Sequence, residues 1–123
     1  MEYTETVIEH FTNPRNCGKM DDANAIATEG SPACGDQVSF FLKINDDTKI
    51  IEKISFLSYG CASNIATASV TTELVTGKHI DEAKKLDWKT VTEKLGGLPK
   101  VKEHCSMLAV ETLQAAIKNY ETR

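Results

Sequence analysis

Three cysteines, an aspartate and a histidine are the residues of this 123-residue chain whose types and spacing could do chemistry. Cys34 lies in Ser31-Pro32-Ala33-Cys34-Gly35-Asp36, Cys61 in Tyr59-Gly60-Cys61-Ala62-Ser63, and Cys105 directly follows His104. Thiolate is both the sulfur nucleophile and the soft metal ligand, and a nearby helix N-terminus favours it over the thiol. Asp36 stands two residues after Cys34, so one turn could offer both to a single ion. The candidate donors are therefore Cys34, Asp36, Cys61, His104 and Cys105. Glycines beside Cys34 and Cys61 let the backbone approach something bulky.

A structural zinc takes four ligands, and so does a two-iron, two-sulfide cluster. Five candidates for four places suit a centre whose coordination changes. A carboxylate oxygen is a hard donor and a poorer match than thiolate for soft irons. An Asp36 ligand thus favours a cluster that leaves over one kept for electron transfer. Zinc ribbons and thioredoxin-like redox sites lose their usual support, because no Cys-x-x-Cys pair exists.

The elements that must position these donors are readable from periodicity. Tyr3, Val7, Ile8 and Phe11 predict an amphipathic helix over 2–11, stopped by Asn13-Pro14. Residues 15–22 read as loop, and roughly 23–31 as a weaker strand. Val38, Phe40, Leu42 and Ile44 alternate with polar residues, Phe41 being the exception, and predict a strand. Asn45 to Thr48 reads as a four-residue turn into a second strand, Ile50 to Tyr59. Ala62, Ile65, Ala66, Val70 and Leu74 fit a helix face that Gly77 stops. Ile80 to Leu86 reads as a short helix. Asp87 caps another, with Trp88, Val91 and Leu95 inside and Gly96-Gly97 at its end. A long helix from about Pro99 to Tyr120 carries Cys105 in its first or second turn. Strands precede helices, so the fold class is α+β: a small antiparallel three-stranded sheet with helices packed on one face. We read 1–123 as a single domain.

Composition narrows the function classes. Hydrophobic residues make up 41% and charged residues 26%, as in an ordinary globular chain. Lys+Arg is 14 against Asp+Glu 18, a net charge of −4, and such a chain is a poor counterion substitute on nucleic acid. No apolar run is long enough to span a membrane. The N-terminus lacks the pattern of a secretory or transit signal, so a reducing cytoplasm is the expected compartment. Unpaired cysteines fit that setting.

Over essentially its whole length the chain resembles the IscU/NifU-type iron–sulfur cluster assembly scaffolds. The matching segments are Tyr3 with Val7-Ile8-Glu9-His10-Phe11, Asn13-Pro14-Arg15-Asn16, Ala33-Cys34-Gly35-Asp36 and Tyr59-Gly60-Cys61-Ala62-Ser63. Leu98-Pro99-Lys100-Val101-Lys102 and His104-Cys105-Ser106-Met107-Leu108-Ala109 complete them. The resemblance implies a scaffold, not an enzyme, on which a labile [2Fe–2S] cluster forms from desulfurase-derived sulfur and Fe2+ and then passes to apo-proteins. It implies cluster or metal ligation by Cys34, Asp36, Cys61, His104 and Cys105, with Cys105 the first persulfide acceptor and Zn2+ held when no cluster is present. The implied partners are a cysteine desulfurase, an iron or electron donor, apo iron–sulfur proteins and an Hsp70-type chaperone with its J-protein. The chaperone motif of the family reads Leu-Pro-Pro-Val-Lys, and Lys100 replaces its second proline here. Tyr3 resembles a tyrosine linked to dimer formation, which makes a homo-oligomer possible. A SUF-type branch carries an insertion and lacks a histidine at the position of His104, so this chain sits closer to IscU.

Duller readings stand beside these. Cys17 matches no ligand position and reads as a small core hydrophobe. Asp36 alone could be a turn former, and His104 a surface histidine. His10 and His79 read as ordinary surface or helix residues. Lys102 could pair with Asp36 or with anionic sulfide, or could simply be solvated. Two rivals to the scaffold are a zinc-bound sulfur acceptor that relays persulfide and a plain structural zinc module.

Overall fold

The structure, a computed structural model, describes residues 2–31 and 35–123. Three strands form one antiparallel sheet in the order β1-β2-β3: β1 Ala25–Ser31, β2 Asp36–Ile44 and β3 Ile51–Tyr59. Around it lie α1 Glu5–Thr12, α2 Ala62–Val75, α3 Ile80–Ala83, α4 Trp88–Lys94 and α5 Glu103–Glu121. A 3-10 turn, Lys100–Lys102, leads into α5. This is the α+β class and three-stranded sheet expected from the order of the periodic segments.

Alternation decides which face of the sheet is covered. Val38, Phe40, Leu42 and Ile44 are all at most 1% exposed and pack with Ala109, Leu113, Ala116 and Ile117 of α5. Phe41 breaks the alternation, and it lies half-buried on the opposite face with Ser55 as its register partner. The register shifts between Lys43 and Ile44, so Ile51 and Ile54 of β3 both reach the core. The hairpin connection spans residues 45–50, longer than the four residues expected. Truncating a buried phenylalanine such as Phe40 to alanine costs about 3–5 kcal/mol in such a core.

The helix ends follow capping chemistry. Thr4 accepts the Val7 amide at the start of α1, and its hydroxyl also donates to the Leu95 carbonyl at the end of α4. Asp87 Oδ1 accepts the Thr90 amide at 2.8 Å, as its position before Trp88 predicts. Gly96 and Gly97 both have positive φ, +77° and +105°, and end α4. His79 is the N-cap of α3, its Nδ1 accepting from Asp81 N–H at 3.0 Å.

Two residues depart from their sequence readings. Cys17 is exposed, not a core hydrophobe, because its short segment runs along the outer edge of β3, bridged to Phe56. His10 is buried at 6% exposure, not on the surface. It sits where α1 packs on α2: Nδ1 is 2.7 Å from Ser69 Oγ and Nε2 3.3 Å from Glu73 Oε1. Its neighbours in sequence, Glu9 and Phe11, point outward, so the inward turn of His10 is a matter of docking.

Burial holds the His10 imidazole below its ordinary value of 6.5, against the opposing pull of Glu73. The unfolded chain therefore binds a proton that the folded chain resists. Neutral His10 supports the fold fully above that value and loses this support as pH falls through it. Urea midpoints should drop between about pH 7.5 and about pH 5, and His10→Gln should flatten the drop. An equal slope in the variant would count against His10 as its source.

Candidate metal centre

Three elements bring the donors together. Asp36 is the first residue of β2, Cys61 is the N-cap of α2, and His104 and Cys105 lie in the first turn of α5. Asp36 Oδ2 is 3.0 Å from His104 Nε2. Cys105 Sγ is 3.6 Å from the same nitrogen and 3.9 Å from Cys61 Sγ. Cys61 Sγ is 3.9 Å from Asp36 Oδ1. Asp36, His104 and Cys105 each offer an atom within 4.8 Å of the others'. Cys34, also a candidate ligand, lies outside the described residues.

The two sulfurs have the spacing of a pair of tetrahedral ligands. Two sulfurs about 2.3 Å from a tetrahedral centre stand about 3.8 Å apart. The Cys61–Cys105 separation of 3.9 Å matches this. His104 and Cys105 are sequence neighbours and diverge on the helix, yet both reach the centre from its side. His104 Nδ1 is 3.1 Å from the Val101 carbonyl, a contact that fixes the ring while Nε2 faces inward.

Gly60 has a specific duty. At φ +144°, a Cβ there would stand 2.3 Å from Asp36 Oδ1. The glycine thus makes room for the Asp36 carboxylate. Gly35, at φ +93°, faces open space.

The two sulfurs differ. Burial pushes the Cys61 thiol up, but hydrogen bonding from Ser63 and from the Asn64 backbone amide outweighs it and leaves Cys61 below its ordinary value. The helix-start expectation holds there. It fails at Cys105, which is 0% exposed and is pushed up to about 12, by burial first and by the charge of Cys61 and Asp36. Desolvation of an anion outweighs the helix dipole at that depth. Lys102 responds to the sulfurs: the charge of Cys61 holds its ammonium above its ordinary value.

Ser63 and Asn64 escaped the sequence reading as site residues. Ser63 Oγ is 3.1 Å from Cys61 Sγ and 3.5 Å from Cys105 Sγ. The only signal for it was a hydroxyl two residues past a cysteine at a helix start.

Comparison with known proteins identifies the family. A family model described as the NifU-like N terminal domain matches residues 2–123, and the chain belongs to that family. It is 49% identical over 119 residues to the iron-sulfur cluster assembly scaffold protein IscU of Aquifex aeolicus, covering 97% of this chain and 76% of that protein. It is 48% identical over 118 residues to IscU 1 of Archaeoglobus fulgidus, covering 96% and 76%. The nitrogen fixation protein NifU of Azotobacter chroococcum is 44% identical over 119 residues, 97% of this chain and 38% of that longer protein. In fold, the chain is similar to the N-terminal NifU-like protein of Brucella abortus, with a TM-score of 0.76 at 20% identity over 98% of this chain and 94% of that one.

In metal-free protein, alkylation should modify Cys17 and Cys61 well before Cys105, read by peptide mass spectrometry. Gly60→Ala should push the Asp36 carboxylate aside and weaken zinc binding by about ten-fold or more. Unchanged zinc affinity would show that the carboxylate does not hold the ion.

Proposed function

We propose that this protein is an assembly scaffold, not an enzyme, on which a labile [2Fe–2S] cluster is built and released. The observation that carries the reading is the convergence of two sulfurs, a carboxylate and an imidazole from β2, α2 and α5. The scaffold relatives identical at 49% and 48% support it. Ferrous iron and sulfide are cargo here. Cys34, Asp36, Cys61, His104 and Cys105 are the ligands we assign, with Cys34 contributed from outside the described residues. The hard carboxylate favours release over retention. Zn2+ suits the same mixed donors when no cluster is present.

A cysteine desulfurase supplies the sulfur, with Cys105 as acceptor. In the metal-free centre its thiol is strongly disfavoured from ionising. A dication held by Asp36 and His104 would favour the thiolate that takes up the sulfur. An iron or electron donor, recipient apo-proteins and an Hsp70-type chaperone complete the proposed partners. Lys100 argues for a weakened chaperone step. The compartment we propose is the cytoplasm; among the described residues no helix is long and apolar enough to cross a membrane. The zinc-bound persulfide relay remains the second reading, supported by the same donors.

Anaerobic incubation with a desulfurase, cysteine and ferrous iron should produce visible sulfur-to-iron charge-transfer bands. Asp36→Cys should retain the resulting chromophore several-fold longer against a chelator. Tight zinc with no iron chromophore would favour the relay. Persulfide on Cys105, read by mass spectrometry, should require ferrous iron or zinc and vanish with chelator. Equal persulfidation without metal would overturn that role of the dication.

A further inference from the structure

Ser63 is fully buried at the start of α2, and its hydroxyl has an uncommon set of neighbours. Three other buried hydroxyls of this helix turn back on it, and Ser69 pairs with His10 and the Arg15 amide. Thr67 donates to the Asn64 carbonyl, Thr71 to the Thr67 carbonyl and Thr72 to the Ser69 carbonyl. Ser63 has no helical carbonyl three or four residues behind it, because α2 begins at Ala62. Among the described residues its hydroxyl has only sulfur as a hydrogen-bond partner: Cys61 Sγ at 3.1 Å and Cys105 Sγ at 3.5 Å.

A neutral thiol is a weak acceptor, and a buried hydroxyl without a good acceptor is costly to keep. Charged sulfur is the acceptor that suits this position. One hydroxyl carries one proton, so it serves a single sulfur at a time. The nearer sulfur, on Cys61, has first claim. A donor aimed at a metal-bound sulfur draws electron density from it and tunes the bond to the metal.

We propose that Ser63 is a positioning residue whose hydroxyl donates to the coordinated sulfur of Cys61, with Cys105 as the alternate acceptor, and so sets how firmly the two sulfurs hold metal. This rests on the reading of the centre as a metal site. It adds a donor outside the ligand set. The hydroxyl moves no proton and forms no bond to metal.

Cobalt(II) is a suitable probe, because its thiolate charge-transfer band reports electron density at sulfur. Wild type, Ser63→Ala, Ser63→Thr and Ser106→Ala would be titrated anaerobically with Co2+, with far-UV circular dichroism to check folding. Ser106 is the control: it is fully buried and follows Cys105, but its hydroxyl lies 2.8 Å from Thr92 Oγ instead. We expect Ser63→Ala to move the band to lower energy, as the sulfur regains electron density, and to weaken Co2+ binding about ten-fold, as Cys61 loses the group that orients it. Ser63→Thr, which keeps the hydroxyl, and Ser106→Ala should keep the wild-type band. An unmoved band and affinity in Ser63→Ala overturns the proposal. So does an equal shift in Ser106→Ala, which would assign the effect to packing, or an alanine-like band in Ser63→Thr. A wild type that shows no thiolate–cobalt band overturns the metal reading itself.

Discussion

The side-chain amide of Asn64 ties together the ends of the strands and the start of the helix from which the centre is built. Its Nδ2 lies 2.7 Å from Ser58 Oγ, 3.0 Å from the Tyr59 carbonyl and 3.3 Å from the Gln37 carbonyl. Gln37 follows Asp36, and Tyr59 precedes Gly60 and Cys61. One fully buried group therefore sets a carboxylate on β2 and a sulfur at the N-cap of α2 in register. Its Oδ1 finds no partner among the described residues. Such an orphan costs about 1–3 kcal/mol, a penalty the clamp must outweigh.

The rest of the molecule holds that clamp in place. α5 lies across the covered face of the sheet and delivers Cys105 and His104 from its first turn. The packing of Ala109, Leu113, Ala116 and Ile117 against β2 fixes how far that turn reaches. α2 is unusual in burying Ser63, Thr67, Ser69, Thr71 and Thr72. Most of these hydroxyls are satisfied by the helix's own carbonyls, which lets a polar helix be enclosed by α1, α5 and the sheet. Ser63 and Ser69 are the exceptions, and each faces a group from elsewhere: two sulfurs in one case, His10 and the Arg15 amide in the other.

Hard and soft donors thus meet on an anchored frame. The carboxylate and imidazole bond each other at 3.0 Å, while the sulfurs stand side by side at 3.9 Å. Such a mixture suits both the dication and the sulfide-bearing cargo that we propose for this centre. That versatility comes from the donors, and the precision comes from the three elements that carry them.

Much of this was legible in the amino-acid order. Alternation in 38–44 fixed a half-covered strand, because side chains switch faces at every residue. The helical spacing from Cys105 to Tyr120 fixed an amphipathic helix, and Asp87 and Gly96-Gly97 marked the bounds of α4 through local hydrogen bonding and backbone freedom. The donor types and their placement at element ends were visible for the same reason. The burial of His10, the exposure of Cys17, the inward reach of both Ile51 and Ile54, and the high pKa of Cys105 were decided only by the tertiary structure. Each depends on what packs against a residue from far along the chain, and periodicity reports only a residue's own element. The sequence determined which donors exist and which elements carry them. The folded chain alone decided their separations, and how far loss of water makes one sulfur resist ionisation more than its neighbour.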